Sequence, residues 1–149
     1  STMSVSIRRM ILEDVGMVFD IEKSAHITPW SKKIISDCIS VGYGCFVITK
    51  DNVIKGFMIV RGLKQHSHLL NLCITPASQG QHFGEALLLF LIDLIKNRCR
   101  KLVLEVREAN LPAIALYHKH GFIKAQIKKK YYADKGDIFE DAIVLERLF

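Results

Sequence analysis

The chain has 149 residues, of which 50% are hydrophobic and 24% charged, a composition typical of one folded domain that excludes a disordered chain. No apolar run approaches the ~18 residues of a membrane-spanning helix, and the N-terminal segment has no long apolar stretch like that of a signal peptide. The net charge of +6 suits a polyanionic partner such as nucleic acid, a ribosome surface or a phosphorylated cofactor, and charge alone does not choose among these.

The four cysteines are widely spaced and form no C-x-x-C pair; they are Cys38, Cys45, Cys73 and Cys99. Each lies in an apolar context, which predicts buried free thiols and argues against a zinc site or a disulfide framework. Free thiols are typical of a reducing compartment. We therefore expect a cytoplasmic protein without a metal centre.

The first half of the chain predicts a strand, two helices and three strands. Residues 5–8 alternate apolar and polar side chains, and the stretch that follows has helical periodicity to about Ser24. Ser31 is the expected N-cap of a second helix that reaches about Val41. The three strands are expected at 45–49, 53–63 and 67–74, with a hairpin turn at 50–52.

The second half predicts two more helices and three more strands. The polar loop ASQGQHFG opens a leucine-rich helix at about 84–98, and residues 101–106 form a strand that we expect to be buried on both faces. Asn110 is the expected N-cap of the next helix, which has Pro112 in its first turn and Gly121 at its C-terminal end. The last strands are expected at 122–132 and 138–147, joined by a turn over 133–137.

The element order is β-α-α-β-β-β-α-β-α-β-β, which predicts one α/β domain over residues 1–149. The central strand-helix-strand unit implies a right-handed parallel crossover, and the hairpins on both sides of it imply antiparallel pairing. We therefore predict a mixed, mostly antiparallel, twisted sheet of about seven strands with helices on both faces.

The polar loop before the leucine-rich helix is a candidate anion site. Unpaired N–H groups at a helix start and the positive end of the helix dipole favour a phosphate there. Gly80 and Gly84 would let the loop turn sharply and let a phosphate approach the backbone. The pattern alone is weak, because a glycine-containing turn before a helix is more often only a turn.

Glu105 and Tyr117 are the candidate catalytic residues. Glu105 lies inside an apolar strand, KLVLEVR, where burial would raise the pKa of its carboxyl towards neutrality and suit a general base. The alternative is a structural ion pair, for example with Arg107 on the same strand face. Tyr117 is either an acid beside a leaving group or a core aromatic whose hydroxyl reaches the rim.

Two other polar groups give weaker signals. His66 and His68 alternate along a strand and could share a face, but no third metal ligand accompanies them. The lysines at 128–130 precede two tyrosines at 131–132, which would suit nucleic acid, although a solvated strand edge is the simpler interpretation. We expect no metal site and no direct role in nucleic-acid binding.

Several segments together resemble the GCN5-related N-acetyltransferase superfamily, and the likeness spans nearly the whole chain. They are HITPWS at 26–31, LNLCITP at 70–76, QGQHFGEALL at 79–88, LEVREANLPAIALYHKHGF at 104–122, YY at 131–132 and EDAIVL at 140–145. The middle segments mark the superfamily broadly. Three patterns are similar to those of the branch that acetylates protein N-termini, in particular the N-terminal alanine of a ribosomal protein. They are P-W-S, L-E-V-R-x-x-N followed by A-I-A-L-Y, and Y-Y followed by E-D-A.

The resemblance implies the acyl-CoA N-acyltransferase fold, acetyl-CoA as cosubstrate and no metal. In the family, a loop Q/R-x-x-G-x-G/A wraps the pyrophosphate with backbone N–H groups, and it occupies residues 79–84 here. The strand before it would align the thioester, with an N–H near Ile74 polarising the acetyl carbonyl. The implied cofactor-binding residues are Leu72, Cys73, Ile74, Gln79, Gly80, Gln81, His82, Phe83, Gly84, Glu85 and Asn110.

The resemblance also implies roles for the candidate residues. Glu105 matches the family's general base and Tyr117 its general acid. Trp30 and Tyr131 are expected to wall the acceptor groove, with Glu140 attracting the amine, although Trp30 is alternatively a core anchor. His82 stands where the family has the first loop glycine, so a positive φ there would cost this residue strain, and Gly80 would take over part of the loop's flexibility.

The expected function is transfer of acetyl from acetyl-CoA to the N-terminal amine of a protein, in particular a ribosomal protein, by direct amine attack on the thioester. One alternative is an acetyltransferase that acts on another primary amine, such as lysine, a polyamine or a small molecule. Another is a non-catalytic acetyl-CoA-binding module. Retention of both Glu105 and Tyr117 at the family's spacing argues against that module.

Overall fold

The computed structural model describes residues 4–133 and 139–149, except for the side chains of 129–133 and 139–140. Within these residues, seven strands form one sheet and four α-helices pack on it. The strands are β1 (Val5–Arg9), β2 (Gly44–Lys50), β3 (Val53–Arg61), β4 (Gln65–Ile74), β5 (Cys99–Arg107), β6 (Ile123–Ala133) and β7 (Phe139–Leu148). The helices are α1 (Val15–Ala25), α2 (Lys32–Ser40), α3 (Phe83–Ile95) and α4 (Leu111–Lys119).

The strand order is β1-β2-β3-β4-β5-β7-β6. Strands β4 and β5 are parallel, and every other neighbouring pair is antiparallel. This arrangement confirms the predicted mixed sheet and the parallel crossover through α3. The turn predicted over 133–137 lies mostly outside the described residues.

Helices cover both faces of the sheet because side chains alternate along its strands. Ile48 and Met58 point to the face that packs on α3 and α4, whereas Val47 and Phe57 point to the face that packs on α1 and α2. The leucine-rich α3 is largely buried, as predicted, and its fully buried residues are Leu87, Leu88, Leu91 and Ile95. Among the helices in residues 4–133 and 139–149, none is long and apolar enough to cross a bilayer.

The predicted caps set the helix boundaries. The Ser31 hydroxyl accepts a hydrogen bond from the N–H of Ile34 at 3.1 Å, which begins α2. Asn110 caps α4 in the same way. Gly121 follows α4 with a φ of +89°, a backbone that favours glycine and stops the helix.

The two parallel strands separate before they end. Strand β4 pairs with β5 only from Gln65 to Leu69, although it runs on to Ile74. A bulge at Leu70 in the pairing with β3 shifts the alternation of the residues that follow, so that Asn71 faces α1. A gap therefore opens between β4 and β5 at their C-terminal ends.

Burial along β5 corrects one expectation. Leu102, Leu104 and Val106 are buried against the α3 face, whereas Glu105 and its neighbours on the opposite face are only partly buried. The expectation of burial on both faces is wrong because α1 and α2 pack mainly on β2, β3 and β4 and leave this face of β5 only partly covered.

All four cysteines are buried and free, as predicted. Burial raises the pKa of the Cys45 thiol to about 12. It raises the pKa of Cys73 further, with the nearby Glu22 carboxylate adding to the effect. Both thiols are therefore protonated at neutral pH.

Candidate active site

The gap between β4 and β5 forms a cleft of about 580 Å³. Its walls come from both strands, from α4, and from the end of α1 with the turn that follows, and they include Glu105 and Tyr117. Tyr117 packs with the α3-side core, whereas Glu105 lies on the opposite face of β5 from Leu104 and Val106 of that core. The cleft therefore passes through the sheet, and the structure brings the two candidate catalytic residues to it from opposite faces.

Two hydrogen bonds hold Glu105. Nε2 of His68 lies 2.6 Å from Oε2, and Nζ of Lys128 lies 3.2 Å from Oε1. The His68 hydrogen bond is the largest influence and lowers the pKa of Glu105 below its usual value, despite partial burial. The expectation of a raised pKa is wrong, and Glu105 is a carboxylate at neutral pH.

Sequence reasoning missed His68 as a partner of Glu105. The sequence presents it only as one of two alternating strand histidines. The parallel register sets His68 opposite Val103 and Leu69 opposite Leu104, which brings the imidazole beside Glu105. The crossover was predictable from the element order, but the register was not.

Tyr117 is half-buried on the cleft side of α4. Its ring packs edge-to-face on Phe122, with 5.5 Å between the ring centroids. Burial, with a smaller contribution from Cys73, raises the pKa of the hydroxyl to about 12. The hydroxyl is therefore protonated at neutral pH, as a proton donor must be.

A buried carboxylate anchors the turn that carries Trp30. Glu22 of α1 is 0% exposed, and it accepts hydrogen bonds from the N–H of Trp30 at 3.0 Å and from Nδ2 of Asn71 at 2.9 Å. Nδ1 of His26 lies 2.8 Å from the same carboxylate. Burial alone would raise the pKa of Glu22, but these hydrogen bonds lower it, with His26 contributing most. Glu22 is thus a charged tether among α1, β4 and the turn.

Three side chains of this cluster are of metal-ligand type. Ligand atoms of Glu22, His26 and Cys73 lie within 4.8 Å of one another. They form a hydrogen-bond network, in which Sγ of Cys73 lies 3.2 Å from Oδ1 of Asn71 and 3.5 Å from Oε1 of Glu22. Burial keeps the thiol protonated, and a protonated thiol is a poor metal ligand. The absence of a metal stays a prediction.

The three predicted acceptor residues have different outcomes. Trp30 packs against the α1-side core and also lines the cleft, and its role toward an acceptor stays a prediction. The side chains of Tyr131 and Glu140 lie outside the described part of the structure. Their backbones belong to β6 and β7, and Tyr132 pairs with Glu140. Their roles stay predictions.

A second cleft of about 560 Å³ lies between the N-terminal end of α3 and α4. The predicted cofactor residues that line it are Ile74, Gln79, Gly80, His82, Phe83, Gly84 and Glu85. Leu72 and Asn110 instead line the first cleft, and Gln81 is exposed. Cys73 is buried towards α1 and is not among the residues that line these two clefts.

His82 adopts the left-handed backbone that the family's glycine favours. Its φ is +66°, and Gly80 nearby has a φ of +82°. His82 immediately precedes the first turn of α3. A non-glycine residue in this conformation costs about 1–2 kcal/mol, so the strain expected at this position is present and Gly80 does not remove it.

Glu85 joins the loop to α4. Its Oε2 lies 2.7 Å from Nε2 of His120 and 3.0 Å from Nζ of Lys119. These hydrogen bonds, led by that from His120, lower the pKa of Glu85 to about 2. Lys119 and His120, at the C-terminal end of α4, offset the charge of this carboxylate and so reduce its repulsion of an anion at the N-terminal end of α3.

Comparison with known proteins agrees with this geometry. The profile of the acetyltransferase (GNAT) family matches residues 10–122. A ribosomal protein bS18-alanine N-acetyltransferase of Escherichia coli strain K12 is 37% identical over 133 residues, which cover 89% of each chain. The crystal structure of the ribosomal-protein-S18-alanine N-acetyltransferase from Escherichia coli has a TM-score of 0.90 at 35% identity, covering 97% of this chain and 94% of that one.

A more distant likeness supports the fold alone. Arabidopsis thaliana Naa50, in complex with the bisubstrate analogue CoA-Ac-MVNAL, has a TM-score of 0.84 at 20% identity, covering 98% of this chain and 99% of that one. The mixed sheet, with a cleft where β4 and β5 separate, is thus the fold of an N-acetyltransferase. The chain belongs to the acetyltransferase (GNAT) family, which confirms the resemblance noted in its sequence.

We expect Glu22→Gln to lower the free energy of unfolding by about 1–3 kcal/mol at pH 7, because an amide NH₂ would face hydrogen-bond donors. The pKa of Glu22 is lower in the folded than in the unfolded protein, so its contribution is complete above about pH 4.5 and disappears as the pH falls through the folded value. Urea unfolding at pH 7 and at lower pH measures this loss. Asp20→Asn, at an exposed position of α1, is the matched control. A wild-type-to-variant difference independent of pH would contradict the charged tether.

Proposed function

We propose that this protein transfers the acetyl group of acetyl-CoA to the α-amino group of a protein N-terminus, with the N-terminal alanine of ribosomal protein bS18 as the acceptor. The observation that carries the proposal is the cleft through the sheet, with Glu105 and Tyr117 on opposite faces of it. An acceptor amine would enter from one face and a thioester from the other. The names of the relatives support the choice of acceptor.

Acetyl-CoA would bind across both clefts. The N-terminal end of α3, with its loop at 79–84, offers backbone N–H groups and a positive dipole end to the pyrophosphate. Pairing with β5 stops at Leu69, so the edge of β4 beyond it would be available to the thioester, and an N–H near Ile74 would polarise the acetyl carbonyl. Family membership supports this cosubstrate.

Glu105 would accept a proton from the acceptor. An α-ammonium has a pKa of ~8, so most of it is protonated and not nucleophilic at pH 7. The charged carboxylate would attract this ammonium and take its proton, directly or through a water. The free amine then attacks the thioester carbonyl. Backbone N–H groups stabilise the resulting oxyanion, by roughly 3 kcal/mol per donor in comparable sites.

Tyr117 would stabilise the departing thiolate. Transfer from a hydroxyl whose pKa is about 12 to a thiolate whose conjugate acid has a pKa of ~8.5 is uphill by roughly 5 kcal/mol. The role that fits this difference is a hydrogen bond from the hydroxyl to the negative charge that develops on sulfur. Glu105 takes one proton of the ammonium, and the second proton that the nitrogen loses on forming the amide balances the charge of the departing thiolate.

The ribosomal acceptor has a further implication. It would place the reaction in the cytoplasm, which suits the four free thiols. The net charge of +6 would then favour the phosphates of acetyl-CoA and a ribosome-associated acceptor, with no need for direct nucleic-acid binding.

CoA release with peptides tests the reaction. We expect turnover with a peptide that begins with alanine and little with an N-terminally blocked lysine peptide. Glu105→Gln should lose activity mainly at low pH, where the amine is protonated, while Glu108→Gln, at an exposed position nearby, should match the wild type. Preference for the lysine peptide would refute the proposed acceptor, and an equal loss in Glu105→Gln at every pH would refute proton removal by Glu105.

Tyr117→Phe keeps the ring that packs on Phe122 and removes only the hydroxyl. We expect kcat to fall by about 10²-fold, with the KM for acetyl-CoA within about twofold of the wild-type value. Steady-state kinetics at saturating peptide measure both constants. Unchanged turnover would eliminate the proposed role of the hydroxyl.

His82→Val and His82→Gly distinguish the backbone of this residue from its side chain. A β-branched residue tolerates a positive φ least and glycine tolerates it freely. We therefore expect the KM for acetyl-CoA to rise about tenfold in the valine variant, a change of about 1.4 kcal/mol, and to stay near the wild-type value in the glycine variant. If both variants lose affinity equally, the imidazole itself binds the phosphate.

A further inference from the structure

We propose that His68 is a positioning residue that fixes one oxygen of Glu105 and leaves the other to the acceptor amine, and that Arg61 holds His68 in the form that does so. The three side chains come from neighbouring strands β3, β4 and β5. His68 lies outside the sequence segments that carry the family resemblance. This inference rests on the proposed function, because it assigns Glu105 the acceptor's proton.

The hydrogen bonds fix the tautomer of His68. Nη2 of Arg61 lies 3.0 Å from Nδ1 of His68. A guanidinium has donors only, so Nδ1 must be the acceptor and carries no proton. An imidazole carries at least one N–H, which is therefore on Nε2, 2.6 Å from Oε2 of Glu105. Arg61 thus donates to His68, and His68 donates to Glu105.

This chain of hydrogen bonds has a definite direction. In the other neutral tautomer, the N–H on Nδ1 would face a donor of Arg61, so the hydrogen bond from Arg61 keeps the N–H of His68 on Nε2 and directed at Glu105. The imidazole and carboxylate side chains are only 23% and 13% exposed, so water competes weakly with the short bond between them.

The two oxygens of Glu105 are held unequally. Oε2 accepts the 2.6 Å bond from His68, whereas Oε1 accepts a longer, 3.2 Å bond from Lys128 on β6. Oε1 is therefore the oxygen that takes the proton from the acceptor ammonium. The O–H bond forms as the N–H bond breaks, the nitrogen keeps the electron pair, and Oε2 stays fixed by His68 throughout.

The acceptor's path to Oε1 depends on this fixed orientation. A carboxylate without a bond to Oε2 would rotate, and a misplacement of about 1 Å can cost on the order of 10²-fold in rate. A plain ion pair with Lys128 would fix neither oxygen in this way. Arg61 on β3 and His68 on β4 thus orient the Glu105 carboxylate through directional hydrogen bonds, which a charge alone would not do.

Variants of His68 test the positioning role. His68→Gln can keep both bonds, because its amide oxygen accepts from Arg61 and its NH₂ donates to Glu105, whereas His68→Ala removes both. We expect kcat with an alanine peptide to fall about tenfold in the alanine variant, with the KM for acetyl-CoA unchanged, and to return to within about threefold of wild type in the glutamine variant. His66→Ala, at an exposed position of β4, is the matched control. A wild-type kcat in His68→Ala, or equal losses in both His68 variants, would overturn the proposal.

Nitrogen-15 NMR of labelled histidine tests the tautomer without any turnover. In the wild-type protein at pH 8, His68 should carry its proton on Nε2, and Arg61→Ala should produce a population protonated on Nδ1. A proton on Nδ1 of the wild type would overturn the proposal even if the enzyme is active. Failure of the proposed function gives a different result, because the wild type would then acetylate no N-terminal peptide. The positioning role would then be refuted together with the proposed function.

Discussion

The separation of β4 from β5 is the constraint on which the site depends. Parallel strands normally pair along their shared length, but here the ladder stops at Leu69 and Leu104. Main-chain polar groups beyond that point need other partners, because unpaired buried groups are costly. A thioester substrate can supply such partners, and the same gap lets side chains from both faces of the sheet meet. The end of the pairing between β4 and β5 thus leaves a strand edge that a substrate can bind and a cleft that connects the two faces of the sheet.

Two carboxylates border the gap and differ in how they are held. Glu22 is enclosed, and its bonds to the backbone of Trp30 and to Asn71 use it as structure. Glu105 has one firmly held and one loosely held oxygen, which leaves it able to exchange a partner for a substrate. The pKa of each carboxylate is lowered, so the structural role of Glu22 and the proposed catalytic role of Glu105 differ in the geometry of the hydrogen bonds rather than in the charge.

The sequence was sufficient for the sheet, the helix caps and the position of the loop before α3, because alternation, Ser31, Asn110 and the glycines act over a few residues. It was insufficient where distant strands meet. The bulge at Leu70 has no marker in local residue type, yet the alternation of β4 shifts at this point and the pairing with β5 stops beside it. The pKa of Glu105 was predicted in the wrong direction because His68 and Lys128 are separated from it by 37 and 23 residues.

Helix α4 borders both clefts and has no fully buried residue. Ala113 and Tyr117 face the first cleft, whereas Leu116 and Lys119 face the second. With a rise of about 1.5 Å per residue, the helix sets a constant spacing between the two clefts. If acetyl-CoA binds across both clefts as proposed, this spacing would favour one length of thioester donor, because a shorter or longer arm would present its carbonyl away from the acceptor.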